Sequence, residues 1–222
     1  LYSLFQGPIT RLDCGKKCSP YNENGVPFCC DTHHAVPTAY DAEWEYLRKH
    51  TDLWRPYDSG DPEENERLQE DVPPGQVLIG CLGAELCQRS FRSLVCRSFP
   101  FFPYFNEACE FSGLSYYWEY EDRCWVISNI NAVTREYQAE FIAAYDTLFA
   151  RYPDEEENFS AHSYQMRLVF ERSRRRIPLL HRDGKAYLIS PRSGKMQQVH
   201  PDQLPKFGPY KIAAQLPFPD EE

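Results

Sequence analysis

Residues 13–31 of the chain read DCGKKCSPYNENGVPFCCD. Four of the nine cysteines lie in this stretch, and two of them, Cys29 and Cys30, are adjacent. The stretch shows no sustained helical or strand periodicity and contains few apolar residues, so a hydrophobic core of its own cannot hold it in place. What holds this segment therefore decides the fold of the N-terminal half.

A second group of cysteines follows about fifty residues later, where Cys81, Cys87 and Cys96 are spaced C-x5-C-x8-C. Disulfides are typical of short secreted proteins, whereas this chain has 222 residues and an odd number of cysteines. A reactive nucleophile would need a base such as His33 or His34, and it would explain one thiol of seven. Metal binding explains both groups, because thiolates in irregular segments gain folding energy from a shared cation.

The sequence therefore predicts a metal site drawn from seven cysteines: Cys14, Cys18, Cys29, Cys30, Cys81, Cys87 and Cys96. Adjacent side chains diverge, so Cys30 is favoured over Cys29, and the leading set is Cys14, Cys18, Cys30, Cys87 and Cys96. Zinc and an iron–sulfur cluster are equal alternatives, because four thiolates suit either. Seven thiols exceed one such site, so a second metal or supporting thiols are also expected.

Several neighbours of these cysteines enter the prediction. The aromatic run at 99–105, FPFFPYF, would shield a cluster from water, which leans slightly towards iron–sulfur, and its two prolines predict that it forms neither strand nor helix. His33 and His34 either complete a mixed Cys/His site or are surface residues. Arg97 either donates hydrogen bonds to a thiolate or forms a surface ion pair. Cys109 and Cys124 are expected to be buried structural thiols.

The two cysteine groups resemble the YkgJ-type cysteine-cluster family, which has a CxxCxxCC signature and is described as a zinc- or iron-chelating domain. The order Cys81, Cys87, then RSLVCRSFP around Cys96 is similar to the second half of that family. The chain departs from the family in its C-x3-C spacing, in ten inserted residues before Cys29, and in Ser93, where proline is usual. The resemblance covers residues 14–105 and implies a metal-chelating function there.

Composition limits the partners. The chain has a net charge of −9 and a pI near 5.2, so we do not expect it to bind nucleic acid. An unknown protein partner is the alternative. The basic cluster RSRRR at 172–176 is read as a solvated helix end, or as a contact for phosphate or an acidic partner. No apolar run approaches the ~20 residues of a membrane span. Without a charged leader before an apolar stretch, we expect a cytoplasmic protein.

The remaining patterns predict an α+β fold, with an irregular, metal-stabilised cysteine-rich half, helices and a C-terminal β-hairpin. Helices are expected from Thr38, over 132–151, over about 160–173 and within 58–75. Strands are expected at 77–79, within 114–128, and on both sides of the Asp183-Gly184 turn. The Pro-rich end, 201–222, is expected to wrap the surface.

The expected organisation is a segment 1–8 that is either a tag remnant or native, a cysteine-cluster region at 9–130, and a helical and hairpin region at 131–222 packed into the same domain. The function predicted is metal binding with a structural or redox role. The alternatives are a metal-dependent protein-modifying enzyme, such as a methylase or oxidoreductase, and an interaction module without catalysis. Catalytic residues are unassigned, because the chain lacks nucleotide-binding and hydrolase motifs.

Overall fold

The computed structural model describes residues 2–213, although the side chains of residues 212 and 213 are not described. The chain has an α+β fold, as its sequence patterns predict. Its α-helices, in chain order, are α1 Gly15–Cys18, α2 Asp41–His50, α3 Pro62–Glu70, α4 Leu94–Ser98, α5 Trp125–Ser128, α6 Arg135–Arg151, α7 Asp154–Arg172 and α8 Tyr210–Ala213. Its strands are β1 Thr38–Tyr40, β2 Trp54–Pro56, β3 Gln76–Cys81, β4 Phe101–Phe105, β5 Phe111–Tyr116, β6 Ile177–His181, β7 Ala186–Ile189 and β8 Met196–Val199.

The contacts within the chain divide it into two compact units. Among the described residues, the first unit consists of residues 2–17 together with 100–213, and the second unit consists of residues 18–99. The first unit is therefore discontinuous in sequence. The domain boundaries expected from the sequence stay a prediction.

The first unit is built on an antiparallel sheet with strand order β4-β5-β6-β7-β8. The hairpin predicted around Asp183-Gly184 is confirmed, since β6 and β7 pair with Ile177 opposite Ile189 and Leu180 opposite Ala186. Gly184 adopts a positive φ of 82° in the connecting turn, a conformation that favours glycine. β8 pairs with β7 and completes a three-stranded meander.

The aromatic run at 99–105 corrects the prediction of an irregular segment. Residues Phe101–Phe105 form β4, an edge strand whose Pro103 lies opposite Leu114 of β5. An edge strand tolerates proline, because its outward backbone positions need no partner strand. All five residues are buried, and Phe102 and Phe105 take part in ring contacts within the core. The aromatic run is therefore core of the first unit.

The segment 114–128 fulfils only part of its prediction. Strand β5 covers Phe111–Tyr116, after which the chain forms a short 3-10 turn and α5. Cys124 immediately precedes α5 and is buried, as expected for a structural thiol. Cys109 is exposed in the β4–β5 turn with a φ of 57°, so the prediction of burial is wrong there.

Helix α6 confirms the strongest helical pattern in the sequence, although it begins later than predicted. Thr134 caps it by accepting a hydrogen bond from the Tyr137 backbone N at 3.1 Å, whereas the sequence offers Asn131 as the cap. The sequence predicts an apolar face of Val133, Tyr137, Phe141, Tyr145, Leu148 and Phe149. The last five are buried, and Val133 lies before the helix and is half-buried.

Helix α7 is longer than predicted and turns a different face inwards. The sequence pattern predicts Tyr164, Leu168 and Val169 as the inward residues, and none of the three is buried. It begins at Asp154 directly after Pro153, so the acidic run at 154–157 forms its first turn, where carboxylates favour the helix dipole. Its buried residues include Ser163, Met166 and Phe170, whereas Tyr164 is exposed. Ser163 Oγ accepts a hydrogen bond from the Phe105 backbone N at 2.9 Å, which joins α7 to the end of β4.

The N-terminal segment is part of the first unit rather than an appendage. Phe5 is buried and contacts the rings of Tyr137 and Phe141 on α6, with centroids 5.2 Å and 5.9 Å away. The backbone N of Gln6 donates to a Glu140 carboxylate oxygen at 2.8 Å. Both alternatives for residues 1–8, a tag remnant and native sequence, stay predictions.

The second unit holds a small antiparallel sheet of order β1-β3-β2. The predicted strand into Cys81 is confirmed as β3, and the predicted short helix within 58–75 is confirmed as α3. The helix expected from Thr38 exists but begins at Asp41, because Thr38 pairs with Leu78 in β1. The backbone N of Tyr40 donates to Glu43 at 3.3 Å, which supplies part of the helix cap.

The chain end beyond residue 213 lies outside the described residues, so the prediction for 201–222 is covered only as far as a 3-10 turn at Pro201–Gln203 and α8. Across residues 2–213, no helix is both long enough and apolar enough to cross a membrane.

His162 on α7 is a half-buried titratable group packed among aromatic rings. Its ring contacts Phe102 edge-on at 4.4 Å and stacks on Trp118 at 4.9 Å. Within the described residues, its Nε2 is buried without a hydrogen-bond partner. Burial lowers the pKa of His162 to about 4 from its ordinary value of 6.5.

We expect His162→Phe to flatten the pH dependence of stability. Between pH 6.5 and 4 the unfolded chain binds a proton at this histidine and the folded chain does not, so the folded state loses stability as the pH falls. Over that interval the wild type should lose up to about 3 kcal/mol more than the variant. Urea unfolding at pH 7 and pH 4.5 measures both proteins, and parallel losses would refute the assignment.

Candidate metal site in the second unit

Six of the seven predicted ligands, all except Cys14, belong to the second unit. All nine cysteines of the chain are free thiols. Cys18 is buried at the end of α1, and Cys29 is exposed. Cys30, Cys81, Cys87 and Cys96 are each half-buried. Cys14 lies in the first unit.

Local structure positions the three cysteines of the second group. Cys81 ends β3 opposite Trp54 of β2, and the Gly83 backbone N donates a hydrogen bond to its Sγ at 3.4 Å. The Cys87 backbone N closes a turn by donating to Ala84 O at 3.3 Å. Cys96 lies in the first turn of α4. These hydrogen bonds fix the chain around each thiol.

Ser93 explains one departure from the family pattern. It is the N-cap of α4, and its Oγ accepts a hydrogen bond from the Cys96 backbone N at 3.3 Å. A proline at this position would supply no capping oxygen, whereas serine is among the strongest N-cap residues. Ser93 therefore stabilises the first turn of α4, in which Cys96 lies.

Cys30 joins the two cysteine groups. It lies in the 3-10 turn Phe28–Cys30, and its thiolate would interact electrostatically with those of Cys81 and Cys96. Cys81 interacts in the same way with Cys87. The adjacent Cys29 Sγ lies 4.0 Å from Cys30 Sγ. Thiolates from two segments about fifty residues apart would therefore repel one another.

Arg92 is a cation of this cluster and the first residue of the RSLVCRSFP stretch that resembles the cysteine-cluster family. Its Nε donates a hydrogen bond to Cys87 Sγ at 3.2 Å, and its charge also interacts with Cys30 and Cys96. Arg97, which the sequence placed beside the thiols, donates to the backbone oxygens of Arg92 and Ser90. The position five residues after Cys87 was the available signal, although arginine spacing alone carries little information.

Two thiols of this cluster, those of Cys81 and Cys96, have pKa values raised above the ordinary range. Burial raises the pKa of Cys96 to about 12, and repulsion from the thiolates of Cys30 and Cys81 adds to the rise. Burial likewise raises the pKa of Cys81, against the hydrogen bond from Gly83. A metal bound here would have to displace the protons of these two thiols.

The donor types fit a soft metal, but the arrangement is not a finished coordination sphere. Thiolate sulfur suits zinc and iron–sulfur clusters, and four sulfurs are the number that each accepts. Among residues 2–213, however, no group of three or more His, Cys, Asp or Glu side chains is arranged to hold an ion. Binding would therefore require the sulfurs to move closer together.

A polar network centred on Asp31 organises the loop next to Cys29 and Cys30. The buried Asp31 carboxylate accepts hydrogen bonds from the side-chain amides of Asn22 at 2.9 Å and Asn24 at 2.8 Å. It also accepts one from the His33 backbone N at 3.0 Å, and His33 Nδ1 lies 2.9 Å from the same oxygen. These hydrogen bonds, led by that of Asn22, hold the pKa of Asp31 well below its usual range.

The two histidines of this loop are accordingly placed by Asp31 and Phe28. The His33 side chain is largely exposed, and the His34 ring packs edge-on against Phe28 with centroids 5.0 Å apart. Their predicted role as ligands in a mixed site stays a prediction.

We expect Asp31→Asn to destabilise the second unit by about 1–3 kcal/mol, because an amide cannot accept all of these hydrogen bonds. Since the pKa of Asp31 is lowered in the folded state, its contribution is present at neutral pH and is lost as the pH falls into the acid range. Chemical denaturation at pH 7 measures the loss. Glu23→Gln, an exposed carboxylate change in the same loop, is the matched control and should leave the free energy of unfolding unchanged.

The family resemblance therefore rests on the sequence pattern, which the fold gathers into one unit. The part of that pattern at Cys14 lies outside this unit. We found no protein-family model, no curated protein and no solved structure that matches this chain.

Proposed function

We propose that the second unit binds zinc or an iron–sulfur cluster through Cys30, Cys81, Cys87 and Cys96, as the resemblance to YkgJ-type domains suggests. The observation that supports this proposal is that the charge of a Cys30 thiolate would raise the pKa values of Cys81 and Cys96, which lie in the cysteine group about fifty residues later in the chain. Cys18 and Cys29 are supporting thiols in this proposal.

The surroundings of the four thiols suit a bound metal. Four thiolates on one divalent ion leave a net charge of −2, and Arg92 and the Gly83 backbone N–H would offset part of it. A bound zinc ion would supply cross-linking, and an iron–sulfur cluster would supply one-electron chemistry in addition. Arg92 would also orient Cys87, in the way that outer hydrogen bonds fix metal ligands.

The small core of the second unit favours a structural role. Residues 18–99 bury eight apolar side chains, namely Cys18, Phe28, Ala39, Leu47, Leu53, Trp54, Ile79 and Leu94. Small cores of this kind commonly depend on metals or disulfides for stability, and the chain has no disulfide. Zinc and an iron–sulfur cluster remain equal alternatives.

The alternative is a metal-dependent protein-modifying enzyme that works in a pocket lined by the aromatic run at 99–105. Residues Phe101–Phe105 of that run form β4. A methylase or oxidoreductase activity stays a prediction.

Metal analysis of protein purified without oxygen tests the proposal. One equivalent of zinc with no visible absorbance indicates a zinc site. Iron with acid-labile sulfide and charge-transfer bands indicates a cluster. Protein that contains neither metal in stoichiometric amount, and that binds neither on reconstitution, would refute metal binding.

A further inference from the structure

Charge is distributed very unevenly along this acidic chain. Residues 172–211 contain ten Lys or Arg and two Asp or Glu, so they carry a net charge of +8. The rest of the chain contains fourteen Lys or Arg and thirty-one Asp or Glu, which gives −17 and accounts for the total of −9. The basic residues coincide with the end of α7 and with the β6-β7-β8 meander.

The fold places five exposed cations of this region at one end of the meander. Because Ile177 lies opposite Ile189 and Ile189 lies opposite Met196, the start of β6, the end of β7 and the start of β8 share that end. The Arg176 guanidinium also donates a hydrogen bond to the Gln197 side chain of β8. We call this the basic end, and it comprises Arg172, Arg174, Arg176, Arg192 and Lys195.

These cations are available to a partner. In residues 2–213, none of the five forms an ion pair with a carboxylate of the chain. Arg175 differs, because it pairs with Glu121 and lies over the ring of Phe170 at 4.5 Å. Glu107 is the carboxylate that faces this end, since it approaches Gly194 in the β7–β8 turn. The basic end thus keeps a net positive charge.

The edge of β8 offers backbone hydrogen-bonding groups beside the basic end. Ser190 N donates to Lys195 O at 3.0 Å, so Lys195 directs its backbone groups towards β7. Because this direction alternates along an antiparallel strand, Gln197 and Val199 also face β7, whereas Met196 and Gln198 face outwards. β8 is the last strand of its sheet, and residues 196–198 are exposed.

A cavity of about 500 Å³ lies next to this edge. Its apolar lining includes Met196 of β8 together with Ile189, Tyr104 and Phe111, and Glu107 and Glu110 lie at its polar side. A strand added beside β8 would direct alternate side chains to the face that carries Met196. An apolar side chain of the added strand would fit the cavity, and acidic side chains of that strand would pair with the cations of the basic end.

We propose that β8 binds an extended acidic segment of a protein partner by adding it to the sheet as a further strand, with an apolar side chain of that segment in the cavity. Strand addition derives affinity from main-chain hydrogen bonds and specificity from alternate side chains. One edge lysine is a common device against unwanted pairing. Five unpaired cations instead select for an acidic strand, and arginine, which supplies four of the five, binds carboxylates with two parallel hydrogen bonds.

A single-stranded nucleic acid is the other polyanion that this charge could attract. Sequence-tolerant sites for single strands combine cations with exposed aromatic platforms. Across 172–199, the aromatic side chain is Tyr187, which is half-buried and donates a hydrogen bond to Asp183 at 2.8 Å. The open edge and the apolar cavity favour the peptide.

Fluorescence anisotropy tests this proposal with the full chain. The probe is a fluorescein-labelled synthetic peptide of about ten residues in which Glu or Asp alternates with Val or Leu, and the same peptide with Lys at the acidic positions is the control. We expect saturable binding of the acidic peptide, weakened by salt, and no binding of the lysine peptide. Absence of saturable binding up to about 1 mM would overturn the proposal.

Two kinds of variant separate strand addition from simple charge attraction. Gln198→Pro removes an outward N–H without removing a ladder hydrogen bond to β7, and it should weaken binding at least about tenfold. Gln198→Ala keeps that N–H and should bind like the wild type. Arg192→Glu with Lys195→Glu should abolish binding, whereas Lys185→Glu, at the opposite end of the meander, should change it little.

The charge variants keep the test decisive if Gln198→Pro alters the fold, which circular dichroism monitors. Equal binding by Gln198→Pro and Gln198→Ala, both folded, would overturn strand addition. Tighter binding of a single-stranded oligonucleotide than of the acidic peptide, lost in the Arg192→Glu, Lys195→Glu variant, would overturn the assignment of a protein partner.

Discussion

Replacement of Cys96 by serine should reduce the metal content of the purified protein to less than about a tenth of the wild-type value. Serine keeps the size of the side chain but removes a thiolate, and a metal site that depends on four sulfurs loses most of its affinity with one of them. Cys30→Ser, Cys81→Ser and Cys87→Ser should have the same effect. Elemental analysis of protein purified without oxygen measures the loss.

Cys109→Ser is the matched control, because Cys109 is exposed and lies in the first unit. It should keep its full metal content. If the four cluster variants keep theirs as well, Cys30, Cys81, Cys87 and Cys96 are not the ligands. Cys18→Ser and Cys29→Ser should reduce the metal content less, since we assign them a supporting position.

Metal loss should also unfold the second unit selectively. Structural zinc typically contributes about 10–16 kcal/mol of binding energy to a small domain, more than its few buried apolar side chains can replace. Hydrogen exchange can follow buried amides in each unit, such as Leu47 and Ile79 in the second and Phe141 and Phe170 in the first. A chelator should accelerate exchange at the first pair and leave the second pair protected.

Gly113→Ala should destabilise the first unit by at least about 4 kcal/mol, which approaches the whole stability of many domains. Gly113 of β5 pairs with His181 of β6 and has a φ of 149°. A Cβ there would lie 2.2 Å from the Leu180 carbonyl oxygen. It would also lie 2.8 Å from His181 Cα. Since both obstacles are backbone, the strands would have to separate.

Gly184→Ala is the control for this change. Gly184 also has a positive φ, of 82°, but a Cβ there meets no heavy atom within 4 Å. It should therefore cost only the conformational penalty of about 1–2 kcal/mol. Thermal unfolding should show a midpoint lowered by about 10 °C or more for Gly113→Ala and by a few degrees for Gly184→Ala. Equal shifts would mean that the close approach at Gly113 does not constrain the sheet.

The elements that sequence patterns predicted are those in which local and tertiary preferences agree. Helix α6 has an uninterrupted apolar face, and the β6–β7 hairpin has an Asp-Gly turn between apolar runs. Strand β4 was missed because proline opposes a strand except at an edge, and edge position depends on the rest of the sheet. The inward face of α7 was missed because Ser163 is buried through its hydrogen bond to β4.

In the candidate site, too, the residues whose role depends on tertiary contacts could not be predicted from the sequence. The cysteine spacing indicated two groups and their partnership, which the proximity of Cys30 to Cys81 and Cys96 fits. The sequence did not indicate Asp31, and it marked Arg92 only as part of the family-like stretch, because the role of each depends on the atoms that the fold brings within hydrogen-bond distance. Cys14 belonged to the sequence pattern but lies in the other unit.

The discontinuity of the first unit has a consequence for folding during synthesis. Phe5 leaves the ribosome long before Tyr137 and Phe141, its partners in the core. These contacts can therefore form only after the entire second unit has been synthesised. A second unit that is already folded shortens the effective loop between the two parts of the first unit and lowers the entropic cost of joining them. Availability of metal to the second unit would thereby set the rate at which the first unit matures.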